Sequence, residues 1–176
     1  MTKVILIGAS KSLLNDKLGK IIDSYDIVCR MNNNGRPELL NGEYKDILGT
    51  KRNIWLCKSI GLLKVRNHGY DEVVGFPIES NFVKKVTLKL KEFNEFNKKP
   101  SCGILSIMYL LEKYNKVHIC GIDGFKGGHW YGNKFIKQQN ESDKNAANGF
   151  GAHNAIKEQE YINHLIQNGK IKKIDE

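Results

Sequence analysis

The 176-residue sequence predicts a single α/β domain with a mainly parallel, twisted sheet flanked by helices. Two observations carry this reading. Short apolar runs rich in Val and Ile alternate with longer stretches of helical period, the rhythm of strand–helix–strand units. The length fits one core, because domains run to about 100–200 residues, and a chain of this size buries roughly 70% of its unfolded surface without disulfide or metal staples.

The elements follow in order. Residues 3–8 (K-V-I-L-I-G) read as a buried strand. A short helix over 16–24 precedes a second strand at 26–30, and 53–57 and 72–76 are further strand candidates. Residues 81–97 carry two periods: Val86, Leu88 and Leu90 alternate, while Val83, Val86, Leu90 and Phe93 fit a helix. Length favours the helix. Residues 101–114 are apolar on most sides and predict a buried helix, followed by a strand at 116–121. Residues 153–168 predict a helix with Ile156, Ile162, Leu165 and Ile166 inward, stopped at Asn168-Gly169. Residues 171–174 add an edge strand. The polar, glycine-rich segment 126–151 breaks the rhythm; a stretch of that length is a functional lid or a disordered loop.

Composition excludes several classes. Hydrophobic content of 40% and charged content of 27% are those of a globular protein. No apolar run approaches the roughly 20 residues that span a bilayer, and the first residues turn polar too soon for a signal peptide. The net charge of +9 points to an anionic partner, whether nucleic acid, membrane surface or phosphorylated substrate. Cys29, Cys57, Cys102 and Cys120 form no C-x-x-C pair, which argues against a zinc or thioredoxin-like site. Cys29, Cys57 and Cys120 sit in apolar runs as small buried hydrophobes, which suits a reducing, cytoplasmic setting.

Ligands of open α/β sheets bind beyond the carboxyl ends of the strands. Gly8-Ala9-Ser10 follows the first predicted strand, and Arg30-Met31-Asn32-Asn33-Asn34, a run of donors, comes after the second. Gly121-Ile122-Asp123-Gly124-Phe125 follows a later one and leads into His129-Trp130-Tyr131. Taken singly, Gly8 turns the chain and the asparagines cap a turn. Taken together they converge on one sheet edge. The first turn lacks G-x-G-x-x-G, so an NAD-type site is not supported.

These residues carry a family resemblance. Residues 22–28 (I-D-S-Y-D-I-V), with Arg30-Met31-Asn32, resemble the large sialyl motif of the family-29 sialyltransferases, and 46–51 (D-I-L-G-T-K) resemble its closing segment. Pro100-Ser101-Cys102-Gly103, through Val117 and Gly121, is similar to the small motif. His129-Trp130-Tyr131 is similar to the third, and His153 with Glu158 to the very small motif, H-x-x-x-x-E. The G-I-D-G-F segment also resembles the bacterial family-42 sialyltransferases.

The resemblance implies a Rossmann-like, variant GT-A-like domain that moves a sialic acid, or a related acid such as Kdo, from a CMP-sugar donor to a glycan or glycolipid acceptor. It implies inversion, no cofactor and no metal; the absence of a D-x-D pair agrees. His153 would be the general base, and a histidine, with an ordinary pKa of about 6.5, suits that task near neutrality. His129 would assist the departing phosphate, with Tyr131 beside it. Gly8, Ser10, Asn32, Ser101, Cys102, Gly103, Gly121 and Asp123 would meet the nucleotide sugar. Glu158 lies five residues from His153, off its helical face, and is expected to orient backbone rather than share a proton. His68, His118 and His164 match no motif and read as structural.

Two departures stand out. The family's G-N-S reads Gly8-Ala9-Ser10, which removes one amide and leaves Ser10 or Asn33 to compensate. The positions of the half-cystines of luminal members are Val4 and Tyr114. Three readings therefore stand: transferase, a non-catalytic CMP-sugar or glycan-binding module, and a basic nucleic-acid binder. The last is disfavoured, because no recognition motif accompanies the charge. Lys84, Lys85, Lys89, Lys91, Lys98 and Lys99 read as a solvated helix face or as a patch for anionic glycolipid or the inner membrane surface. Lys126, Lys134 and Lys137 would attract an acidic donor. A homodimer is compatible with the shortness of the chain.

Overall fold

Six strands, β1 (Val4–Ile7), β2 (Ile27–Met31), β3 (Ile54–Cys57), β4 (Glu72–Gly75), β5 (Val117–Cys120) and β6 (Ile171–Lys173), make one sheet in the order β4-β3-β2-β1-β5-β6. Every pairing is parallel. The computed structural model describes residues 2–36, 40–42, 44–58, 69–130, 139–148 and 151–174. The helices are α1 (Gly19–Asp23), α2 (Lys45–Leu48), α3 (Asn81–Asn94), α4 (Cys102–Lys113), α5 (Gln139–Ala147) and α6 (Ala155–Gln167), with 3-10 turns at Lys11–Asn15 and Asn32–Gly35. No helix is long and apolar enough to cross a membrane among the described residues.

The strands form because their β-branched and apolar runs bury both faces of a parallel sheet. In β1 the period of two sends Val4 and Leu6 to one core and Ile5 and Ile7 to the other. The first core packs Leu6, Leu56 and Ile119 against α3, α4 and α6. The second packs Ile7, Val28 and Cys120 against Leu13, Ile22 and Leu48. Ser80, Ser101 and Asn154 cap α3, α4 and α6, each side chain accepting a backbone N–H of the first turn. All four cysteines are buried and unbridged.

The chain runs outward from β1 to β4, then returns to the far side of β1 for β5 and β6. The order therefore reverses between β1 and β5, the switch point beyond whose carboxyl ends such sheets bind ligands.

Three expectations are corrected. Segment 126–151 contains α5, whose buried positions are Asp143 and Ala146, so it has almost no apolar stripe for a reader of periodicity to find. Ile156 is 54% exposed, and the inward face of α6 is Ala155, Glu158, Tyr161, Ile162 and Leu165. The reason is angular: Ile156 lies six residues from Ile162, about 240° around a helix of 3.6 residues per turn. Arg30 lies inside β2 rather than beyond it, fully buried and away from the crevice. Its Nη2 donates to the carbonyls of Leu48 (2.8 Å) and Lys51 (2.9 Å), fastening the turn between α2 and β3.

Candidate active site

The crevice between β1 and β5 is closed by glycine at its base. The Gly8 N–H donates to the Cys120 carbonyl (2.7 Å) and the Ser10 N–H to that of Gly121 (3.0 Å). A Cβ on Gly8 would lie 2.0 Å from the Gly121 oxygen, so Gly8 serves the close approach of the two strand ends and stands behind the crevice wall. Gly121, at φ 66°, is in the left-handed region where a side chain would strike Leu13. Ser10 donates its hydroxyl to Asp123 Oδ2 (2.6 Å), which also accepts the Gly127 N–H (3.1 Å). Residues 9–11 and 128–130 then pair: Lys11 N–H to Gly128 O, Trp130 N–H to Ala9 O, with Ser10 opposite His129. Ser10 and Asp123 thus order the loop that carries His129.

Across the crevice, Asn32, the first residue after β2, holds φ 49°, a left-handed conformation that asparagine tolerates better than most. Its carbonyl accepts the Trp55 indole N–H (2.8 Å) and its Oδ1 the Lys58 N–H (3.3 Å), which turns its NH2 into the donor at that wall. Beside it, Asn33 gives its Oδ1 to Arg36 (3.0 Å) and keeps its own NH2 to donate.

The N-terminus of α4 faces the same space. Glu158 is buried and accepts both the Ser101 N–H (2.7 Å) and its hydroxyl (2.5 Å), while Ser101 Oγ accepts the Ile104 N–H (3.3 Å). This leaves the N–H groups of Cys102 and Gly103 as the first-turn donors at the crevice. The Cys102 thiol is pushed up to about 12 by burial and points to the Leu56 carbonyl (3.8 Å), so Cys102 contributes backbone rather than sulfur. Gly103 leaves the floor open, since a Cβ there would meet only Ser101 Oγ at 3.5 Å and Met31 Cε at 3.9 Å.

Burial raises the Glu158 carboxyl from 4.5 to about 7, against the pull of the two Ser101 hydrogen bonds and the Lys58 charge. Between those values the native state holds a proton that the unfolded chain has lost, so stability falls as pH rises through that window. The expected size is at most about 3 kcal/mol. Glu158→Gln keeps an acceptor for the Ser101 N–H without the charge, and should flatten the thermal midpoint between about pH 5 and about pH 7. A variant with the wild-type slope would remove Glu158 as its source.

Two imidazoles flank one ring. His153 Nδ1 lies 2.8 Å from the Lys99 carbonyl, which can only accept, so Nδ1 carries the proton and Nε2 the lone pair. Lys58 Nζ stands 3.4 Å from Nε2 and 3.2 Å from the Pro100 carbonyl. Burial holds the His153 imidazole below its ordinary value; the Lys99 hydrogen bond opposes this and the charges of Lys58 and Lys99 add to it. Burial likewise lowers the Lys58 ammonium. His129 is held by Asp143, which accepts its N–H and its Nδ1, each at 2.8 Å. The Phe125 ring packs 5.6 Å from His129 and 6.2 Å from His153, nearly parallel to the latter. Phe125 holds φ 66°, uncommon for an aromatic residue and of the kind that concentrates at functional sites.

These groups line one cavity of about 290 Å³. Of the residues singled out from sequence, Ser10, Asn32, Ser101, Cys102 and Gly103 line it, as do Gly121, Asp123, His129 and His153. Gly8 does not, and Tyr131, like Lys134, Lys137 and His68, lies outside the described residues. His118 hydrogen-bonds Tyr25 and His164 packs on Phe93, both away from the cavity. Sequence reasoning missed Asp143, Lys58 and the placement of Phe125. Only Phe125 left a signal, in the G-I-D-G-F segment.

No family model and no curated protein sequence matches the chain. Solved structures similar in fold include two sialyltransferases. One is a mammalian sialyltransferase in complex with Gal-beta-1-3GalNAc-ortho-nitrophenol, 17% identical, with a TM-score of 0.68, covering 99% of this chain and 69% of that one. The other is a mammalian sialyltransferase, 18% identical, with a TM-score of 0.67 and the same coverage. The single α/β domain with its parallel six-stranded sheet is thus a sialyltransferase-like, Rossmann-like fold.

Proposed function

We propose that this chain is a metal-independent, inverting glycosyltransferase that moves a sialic acid, or a related acid such as Kdo, from a CMP-activated donor to a glycan hydroxyl. The observation that carries the reading is the pair of oriented imidazoles, His153 and His129, on either side of Phe125 in a cavity faced by the N-terminus of α4. The sialyltransferase-like fold supports it.

The acceptor hydroxyl attacks the anomeric carbon on the face opposite the phosphate. The new C–O bond forms as the bond to the phosphate oxygen breaks, and that electron pair leaves with CMP. His153 Nε2, unprotonated because Nδ1 is committed to Lys99, takes the hydroxyl proton. His129, its ring oriented by the Nδ1–H that Asp143 accepts, offers an Nε2–H to the departing phosphate oxygen as the doubly protonated imidazolium, which Asp143 would pair. The Cys102 and Gly103 N–H groups, the Asn32 amide and the Lys58 ammonium supply positive potential where the CMP phosphate gathers charge.

The test is a panel of CMP-sugars scored for CMP release, with and without glycan acceptors. The galactosyl disaccharide analogue bound by the mammalian neighbour is the first acceptor to try. Release from a sugar-acid donor, stimulated by acceptor and indifferent to chelator, is expected. Calorimetric CMP binding without release from any donor would make the chain a binding module, the reading that Ala9 favours, since it lines the cavity without offering an amide.

A further inference from the structure

A second concavity, of about 380 Å³, adjoins the candidate active site and shares Lys58 with it. The partition is the strip 98–100. Its Lys99 and Pro100 carbonyls bond His153 and Lys58 on one side, and its lysine side chains line the concavity. The walls are apolar, among them Phe76, Val83 and Leu105 from the core edge. Two large apolar side chains there remain in water: Leu88 is 57% exposed and Ile78 47%.

The rim has one sign of charge. Lys84, Leu88 and Lys91 fall at i, i+4 and i+7 on α3, so two ammonium groups bracket an exposed leucine on one helix face. Lys98 and Lys99 close the rim, and among the described residues no acidic side chain lines the groove. Among the described residues none of these four lysines is paired with a carboxylate. Apolar walls with an uncompensated cationic mouth complement a molecule with a hydrocarbon part and an anionic head.

We propose that this groove is the tail site of the acceptor: an acidic glycolipid lays its apolar chain against Leu88, Ile78 and Phe76, sets its anionic group among Lys84, Lys91, Lys98 and Lys99, and extends its sugar past Lys58 to His153. The proposal rests on the transferase reading of the adjoining cavity. Its test separates the two. Calorimetry below the micellar concentration uses n-dodecyl phosphate as probe and inorganic phosphate as control, with CMP titrated separately to report on the main cavity. One dodecyl phosphate per chain is expected, weakened roughly tenfold or more by Leu88→Glu and by the pair Lys84→Glu and Lys91→Glu, all on the exposed face of α3. In turnover, n-dodecyl β-lactoside should show a lower KM than lactose at similar kcat, and Leu88→Glu should erase the difference. Equal binding in wild type and variants, equal KM for the two acceptors, or attachment only to anionic vesicles overturns the proposal. Absence of CMP release from every donor, with groove binding intact, instead refutes the transferase reading, and the acceptor role with it.

Discussion

Replacing His153 by alanine should cut sugar-acid transfer by about 10²–10⁴-fold while CMP still binds, the usual worth of a positioned base. The expectation follows from geometry: with Nδ1 bonded to Lys99, Nε2 is the ring's one available lone pair. It also sets the pH profile. Burial first, then the charges of Lys58 and Lys99, hold the imidazole below its ordinary value of 6.5. A base with a lowered pKa stays unprotonated to lower pH, so the acid limb of kcat should lie below 6.5. Lys58→Met removes one of those charges, makes His153 easier to protonate, and should move the limb upward. Undiminished turnover in His153→Ala, or an acid limb that ignores Lys58, would assign the proton to another group.

Much of this site was legible in the sequence because the groups it needs follow strands, and strands declare themselves by short β-branched runs. Residues 3–8, 26–30 and 116–121 were placed within a residue or two of β1, β2 and β5. Their carboxyl ends then located the crevice. What stayed hidden has specific physical causes. Asp143 rides a helix whose buried face is one alanine and itself, so no apolar period betrays it. The direction of Arg30 depends on where β2 ends: one more strand residue, Met31, turns an apparent loop donor into an interior clamp. Lys58 is held in the site by long-range contacts, its backbone N–H by Asn32 Oδ1 26 positions away and its Nζ at the Pro100 carbonyl. Ile156 misled because several isoleucines fit more than one helical face, and packing chose the one that buries Glu158 against Ser101.

Gly8→Ala and Gly103→Ala should have opposite consequences, although both glycines occupy motif positions. At Gly8 the added Cβ would stand 2.0 Å from the Gly121 oxygen and 2.6 Å from the Gly121 carbonyl carbon and Ile122 Cγ1. Two of these are backbone atoms that cannot swing aside. The strands are joined there by Gly8 N–H to Cys120 O and Ser10 N–H to Gly121 O, so relief requires parting β1 from β5 in the middle of the sheet. A loss of about 3 kcal/mol or more is expected in denaturant unfolding, at the upper end for an overpacked site. For a domain of this size that corresponds to a drop of very roughly 6–12 °C in Tm. At Gly103 a Cβ meets nothing closer than 3.5 Å, and alanine is the better helix former by about 1 kcal/mol. Stability should hold or rise, and the effect should appear as weaker CMP binding, because the methyl group narrows the floor beside the Cys102 and Gly103 N–H groups. A Gly8→Ala variant with wild-type unfolding and lost CMP affinity would place Gly8 against the ligand, and the close approach of β1 and β5 would no longer account for that glycine.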